Sequence, residues 1–286
     1  MTRCERLTLD VKSMRPNAVD QGGSSVNFHP DWLVPQWSAP THVHTLCTTR
    51  AGGESLAPYD GFNLGDHVGD DAGAVAANRR QLAQAMGAQP VFLSQVHGVQ
   101  VQEISEHSLQ GTPADGCITR EPGVACTIMV ADCLPVLLTN AQGTLVAAAH
   151  AGWRSLAGQG GRGILEQVIE PFKAIALVDN AHAATEIIAW LGPCIGPKEF
   201  EVGAEVRAAF VAQDSQAHTL FQAHGDGKWL ADLAGLARLR LQALGVSQIY
   251  GNDSTRPWCT VSNPSRFFSY RRDGVSGRMA ACIWLD

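Results

Sequence analysis

The sequence predicts a mixed-sheet fold of the α/β or α+β kind in one domain. Short apolar runs such as VACTIMV and LPVLLT, bounded by turn residues, read as buried strands. Longer stretches such as WLADLAGLARLRLQALG space their apolar residues three and four apart, as one face of a helix requires. The two kinds of segment alternate irregularly, without the βαβ rhythm of a doubly wound parallel sheet and without an internal repeat.

Residues 1–33 mix charges with Pro16, Gly22, Gly23, Ser24 and Ser25 and have neither periodicity. A flexible N-terminal extension is expected there, and a single domain over 34–286. VHTLCTT from Val43 reads as a strand, and the loop RAGGESLAPYDGFNLGDHVGD after it is long enough to be either functional or disordered. Asp70 or Asp71 can cap a helix that runs to Met86 and stops at Gly87. VFLSQV and VQVQEI are strand-like on either side of His97 and Gly98, and a turn-rich interval follows to Gly123. VACTIMV, LPVLLT and TLVAAAH are short, apolar and read as buried strands. Gly158, Gly160, Gly161 and Gly163 precede ILEQVIEPF, a helix expected to close at Pro171. IIAWLG resumes strand character, while FEVGAEVRAAFVAQ and WLADLAGLARLRLQALG are helical, the second ending at Gly245. SQIYG, FFSYRR and MAACIWL read as closing strands.

Composition narrows the function. Charged residues make up 17% and hydrophobic residues 45% of the 286, against roughly 25% charged in ordinary soluble chains, which favours a large buried core. A net charge of -6 opposes a general polyanion-binding surface, so nucleic acid is not an expected partner. The eight cysteines are scattered without a C-x-x-C pair, unlike a disulfide scaffold, and a reducing cytoplasm is expected. The most apolar stretch, Val124 to Leu138, is broken by Asp132 and Pro135; neither a signal peptide nor a membrane span is expected.

Three segments place a reactive side chain at the end of an apolar run and beside a turn residue: LSQVHG with His97, MVADCLP with Cys133, and AAAHAGW with His150. Strand ends are where a rigid sheet aims side chains into a site. One thiolate and two imidazoles are good zinc ligands and leave a fourth tetrahedral position open, while the same residues without metal make a cysteine nucleophile with a histidine base. Residue types alone do not choose between these, and each residue taken singly also fits an ordinary core position. Asp132 can orient a histidine, accept from a ribose hydroxyl or simply form a turn. Arg50, Arg154, Arg271 and Arg272 can match an anion bidentately or form surface ion pairs. GQGGRG around Arg162 fits no phosphate-loop pattern.

Taken in order, TTRAGG, NLGDHVGDD, SQVHG, ADG, ADCLPVLL, HAGWR, LGPCIGP, FEVG, FFSYRRD and GRMAACIWL resemble the YfiH-type family, long labelled polyphenol oxidase or laccase-domain proteins and now regarded as purine nucleoside phosphorylases. The resemblance spans roughly residues 34–285. It implies a mixed α/β (α+β) monomer, with mixed β-sheets packed between helices, whose metal-binding catalytic triad falls on His97, Cys133 and His150, with zinc as the metal and copper as an alternative. The implied partners are purine nucleosides and phosphate: adenosine, inosine, guanosine and methylthioadenosine are split to base and ribose 1-phosphate, and adenosine is also deaminated. Arg50, Asn63, His67, Asp132 and Arg154 are then expected to bind substrate. The sequence departs from the family pattern at Ser155, where relatives commonly carry glycine, and at Ser254, with Cys259 five residues later.

Three competing readings remain. A metal-free Cys/His hydrolase, for example an amidase acting on cell-wall precursors, uses the same residues. A copper-dependent polyphenol oxidase is disfavoured, because reduction of oxygen to water needs several coppers and more histidines than one cluster supplies. A non-catalytic zinc-binding module requires a closed four-ligand site without an adjacent pocket.

Overall fold

The computed structural model describes residues 28–179 and 186–286. The first half of the chain forms β1 (Val43–Cys47), α1 (Ala72–Met86), β2 (Gln89–Ser94), β3 (Val101–Glu103), β4 (Thr112–Pro113), β5 (Gly116–Thr119), β6 (Val124–Val130), β7 (Leu134–Asn140) and β8 (Val146–Ala151). Next come α2 (Trp153–Ala157), α3 (Ile164–Asp179), β9 (Ile187–Leu191), β10 (Glu201–Val202) and α4 (Ala204–Val211). The chain then runs through β11 (Phe221–Ala223), β12 (Trp229–Ala231), α5 (Leu233–Ala243), β13 (Gln248–Gly251), α6 (Tyr270–Asp273) and β14 (Met279–Leu285).

These strands assemble into a five-stranded sheet ordered β1-β14-β6-β2-β4, a six-stranded sheet ordered β13-β9-β7-β8-β5-β3, and a small sheet β10-β12-β11. Both large sheets mix parallel and antiparallel neighbours: β2 runs parallel to β6, whereas β14 runs antiparallel to it. The large sheets face each other, so Val91, Ile128 and Val130 of one pack with Leu137, Val146 and Ala148 of the other. Alternate residues of the same strands point outward, because successive side chains leave opposite faces. Ala125 and Met129 meet Leu82 and Met86 of α1, while Val136, Leu138, Ala147 and Ala149 meet Val168 of α3 and Leu236 of α5. Strands covered on both faces need no polar alternation, which is why VACTIMV and LPVLLT read as unbroken apolar runs.

Local signals account for several helix ends. Asp71 caps α1 by accepting from Ala74 N, and Gly87 ends it at φ 63°. Asp232 caps α5 through Gly235 N. Pro171 does not close α3, which continues to Asp179. Proline inside a helix costs about 3 kcal/mol, and the fully buried Ile164, Leu165, Val168 and Phe172 offset it at roughly 1.5–3 kcal/mol each. FFSYRR is not a strand: Phe267 and Phe268 are buried, and Ser269 caps the single turn of α6. VQVQEI yields only the three residues of β3, and FEVG opens with β10 before its helix begins.

Residues 1–27 of the expected N-terminal extension lie outside the described residues. Of the remainder, Trp32 is buried against Phe62, and Leu33 bridges to Cys47. No helix among the described residues is long and apolar enough to cross a membrane.

Candidate metal centre

The two large sheets are joined by the turn from β6 to β7, and Cys133 sits on it. His97 follows β2 of one sheet, and His150 lies in β8 of the other. Along β8, Val146, Ala148 and His150 share one face by the period of two, the face turned toward the opposite sheet. The three candidates, distant in sequence, therefore meet at one end of the layer between the sheets. Their ligand atoms lie within 4.8 Å of one another. Cys133 Sγ is 3.7 Å from His97 Nε2, and the two imidazole rings stand edge to face with centroids 4.8 Å apart.

Asp115 organises this arrangement. Fully buried, it accepts from the backbone N–H groups of Val96 (3.2 Å), His97 (2.9 Å) and Gly98 (2.7 Å). Those bonds hold His97 at φ 58°, a left-handed backbone that a non-glycine residue rarely adopts. Burial alone raises the Asp115 pKa, but the hydrogen bonds from His150 and from the Gly98 and Val96 backbone outweigh it, so the pKa is lowered. As a carboxylate it can only accept, so His150 Nδ1 donates to Oδ1 at 2.8 Å and Nε2 is left for the cluster.

Asp132 ties down the turn that carries Cys133. Its backbone is at φ 91°, and its two carboxylate oxygens accept from Thr260 Oγ1 and from Arg271 N, both at 2.6 Å. Gly152 completes the fit: a Cβ there would lie 2.9 Å from His97 Cδ2 and 3.1 Å from Cys133 Sγ, so only glycine permits the approach. Burial raises the Cys133 thiol pKa, yet the His150 and His97 imidazoles outweigh burial and bring it down to about 6. Burial likewise opposes the His150 cation, but the Cys133 thiolate and the Asp115 hydrogen bond outweigh it and raise His150 to about 9.

A thiolate, two imidazoles and a carboxylate behind one of them suit zinc, and also copper. Three donors leave a coordination position open, and they border a cleft of about 350 Å³. Trp153, Phe200 and Tyr270 give the cleft aromatic surface, while His67, Arg154 and Arg278 bring N–H groups to it.

The residues expected to bind substrate divide. His67, Asp132 and Arg154 line the cleft, although the Asp132 carboxylate is engaged as just described. Arg50 does not line it. Its Nε and Nη2 donate to Asp60 O, its Nη1 donates to Pro264 O, and it lies over the Phe268 ring, so it fastens the long loop. Asn63 is fully buried within that loop; its amide donates to Gly65 O and Asp70 Oδ2, and its Oδ1 accepts from Gly65 N and Arg278 N. Arg271 also borders the cleft but donates to the carbonyls of Glu199 and Glu201, and Arg272 donates to those of Thr260, Val261 and Phe267. Sequence reasoning passed over Asp115, Arg278 and Gln95, whose amide grips both backbone groups of Met129 and pins the SQVHG turn to β6. The ADG motif held a signal for Asp115; nothing local marked Gln95.

Residues 44–286 match the family described as "Multi-copper polyphenol oxidoreductase laccase". The chain is 48% identical over 255 residues to "Purine nucleoside phosphorylase YfiH" of Escherichia coli, covering 88% of this chain and 98% of that one. It is 45% identical over 258 residues to a Haemophilus influenzae protein named purine nucleoside phosphorylase, covering 89% and 99%. Among solved structures it is similar to a Neisseria meningitidis protein, with a TM-score of 0.76, 44% identity and coverage of 90% and 99%. It is also similar to YlmD from Geobacillus stearothermophilus, with a TM-score of 0.72, 31% identity and coverage of 85% and 92%.

Proposed function

The chain belongs to the family described as multi-copper polyphenol oxidoreductase laccase, and from that premise we propose that it is a metal-dependent purine nucleoside phosphorylase acting at His97, Cys133 and His150. The substrates are adenosine, inosine, guanosine and methylthioadenosine, and adenosine is also deaminated at the same centre. The observation that carries this reading is the cleft of about 350 Å³ that borders the Cys/His/His cluster and several N–H donors together. That volume is in the range of small-molecule sites.

In phosphorolysis an oxygen of HPO₄²⁻ forms a bond to C1′ as the C1′–N9 bond breaks. The phosphate hydrogen ends on the departing purine, so ribose 1-phosphate and neutral base result. Zinc, when bound, supplies Lewis acidity beside the reacting atoms. The aromatic side chains Trp153, Phe200 and Tyr270 offer flat apolar surface to the purine. Cations on the cleft hold the phosphate, and the carboxylate of Asp115 keeps His150 turned toward the reacting groups.

The family description names several coppers, but the described residues contain a single group of three or more His, Cys, Asp or Glu side chains close enough to share a metal. One such centre does not fit four-electron oxidase chemistry. A second reading has an observation in its favour: the lowered Cys133 pKa beside His150 and Asp115 also suits a thiolate nucleophile in a metal-free hydrolase.

Incubating zinc-loaded protein with adenosine and phosphate separates the readings. Adenine with ribose 1-phosphate, accompanied by inosine, is expected, and activity is lost after chelation. The proposal fails if neither base nor inosine is released, or if Cys133→Ala turns over at the wild-type rate.

A further inference from the structure

Among the arginines on the cleft, Arg278 alone is locked in place with part of its guanidinium uncommitted. Its backbone is tied to the long loop: Arg278 N donates to Asn63 Oδ1 (2.8 Å), and Leu64 N donates to Arg278 O (3.0 Å). Gly65 makes room for the side-chain stem, since a Cβ there would stand 2.7 Å from Arg278 Cγ. Nη1 donates to Ser276 O (2.8 Å) and Gly277 O (3.1 Å), which fixes the plane of the group. Nε and Nη2 find no hydrogen-bond partner, and the side chain forms no ion pair, among the described residues.

The acidic groups within electrostatic reach are Cys133 and Asp132, followed by the phenols of Tyr270 and Tyr59. The first belongs to the metal cluster, and both oxygens of the second are engaged by Thr260 and Arg271. Burial disfavours the Arg278 charge, and an arriving anion would relieve that penalty. The other arginines on the cleft differ. Arg154 is exposed and lies over Trp153, and Arg271 is exposed with both Nη atoms bonded to carbonyls. His67 feels the Arg278 charge and lines the same cleft.

We propose that Arg278, with His67 beside it, is the anion subsite of the cleft and takes inorganic phosphate through Nε and Nη2. Two N–H groups on one edge of a planar guanidinium match two oxygens of a phosphate. A third oxygen is then free to attack C1′. Naming the anion as the nucleophile rests on the phosphorolysis reading; the subsite itself rests on the uncommitted guanidinium edge. Asn63 and Gly65 act as positioning residues, holding the arginine and touching no substrate.

Two measurements test this on the zinc-loaded full chain: calorimetric titration with inorganic phosphate, and steady-state kinetics with phosphate and inosine varied separately. Arg278→Gln should weaken phosphate binding roughly 10- to 100-fold, as loss of charge-assisted hydrogen bonds implies, and raise the KM for phosphate while leaving that for inosine within about twofold. Arg278→Lys, which keeps the charge without the paired N–H edge, should fall between wild type and Arg278→Gln. His67→Gln, in an exposed loop position that spares the fold, should weaken phosphate binding several-fold. Phosphate binding to Arg278→Gln or to Arg278→Lys at wild-type strength overturns the subsite, as does a wild-type protein that binds no phosphate. A wild-type protein that binds phosphate through Arg278 yet cleaves no nucleoside leaves the subsite standing and removes the phosphorolysis reading instead.

Discussion

His150 Nδ1 lies 2.8 Å from Asp115 Oδ1, and the same buried carboxylate receives three consecutive backbone N–H groups centred on His97. One side chain therefore orients the His150 ring and fixes the backbone that carries His97. Asp115→Asn would turn an amide N–H group toward donors that need an acceptor. Zinc affinity should fall roughly 10- to 100-fold, as for other carboxylates behind a metal-bound histidine, with a lower melting temperature. Competition against a chromogenic chelator reads the affinity, and wild-type affinity would refute the role given to Asp115.

The thiol of Cys133 should titrate early. Its pKa near 6, set by the two imidazoles against the opposing effect of burial, makes the reactive thiolate more abundant as pH rises through 6. An ordinary cysteine reaches the same point only near pH 8.5. In metal-free protein, iodoacetamide labelling of Cys133 should rise with a midpoint near pH 6 and already be close to its plateau at pH 7.5, and added zinc should block it. A midpoint above 8 in metal-free protein would contradict this electrostatic picture.

Gly152 has an ordinary backbone conformation at φ -62°, so alanine introduces no backbone strain there. The added methyl instead meets His97 and Cys133. Overpacking of this kind costs about 1–3 kcal/mol. Gly152→Ala should therefore fold with a near-native circular dichroism spectrum but bind zinc about tenfold or more weakly. Unchanged zinc binding in the folded variant would show that the ligands have slack the structure denies them.

Arg50→Ala separates a loop clamp from a substrate ligand. Three guanidinium nitrogens donate to the carbonyls of Asp60 and Pro264, away from the cleft. Stability should drop by about 1–3 kcal/mol, typical for a lost charge-assisted hydrogen bond, measurable by urea unfolding. The KM for phosphate should stay within about twofold. A large rise in that KM with little loss of stability would restore Arg50 to the site.

The three metal-ligand candidates were legible because each stands at the end of an apolar run beside a turn, a pattern that chain chemistry alone displays. Asp115 stood in the ADG motif, but its role was not legible: its work is done through N–H groups at positions 96–98 and through a ring at position 150, contacts that only long-range folding creates. Arg50 and Asn63, expected at the substrate, bond within or beside the long loop and do not line the cleft; a polar residue in a glycine-rich loop looks the same in sequence whether it grips a ligand or grips the loop. Pro171 misled for a related reason, since the local rule against proline in helices yields to a fully buried apolar stripe. The mixed α/β class was readable from strand and helix periodicity, whereas pairing order and the split of the strands into two facing sheets needed the coordinates.

His97 comes from one large sheet, His150 from the other, and Cys133 from the strap between them. An ion gripped by all three would act as a rivet through the two halves of the molecule. Its capture would then be felt well beyond the cleft, and heat resistance would climb with the logarithm of free metal concentration once that exceeds the dissociation constant.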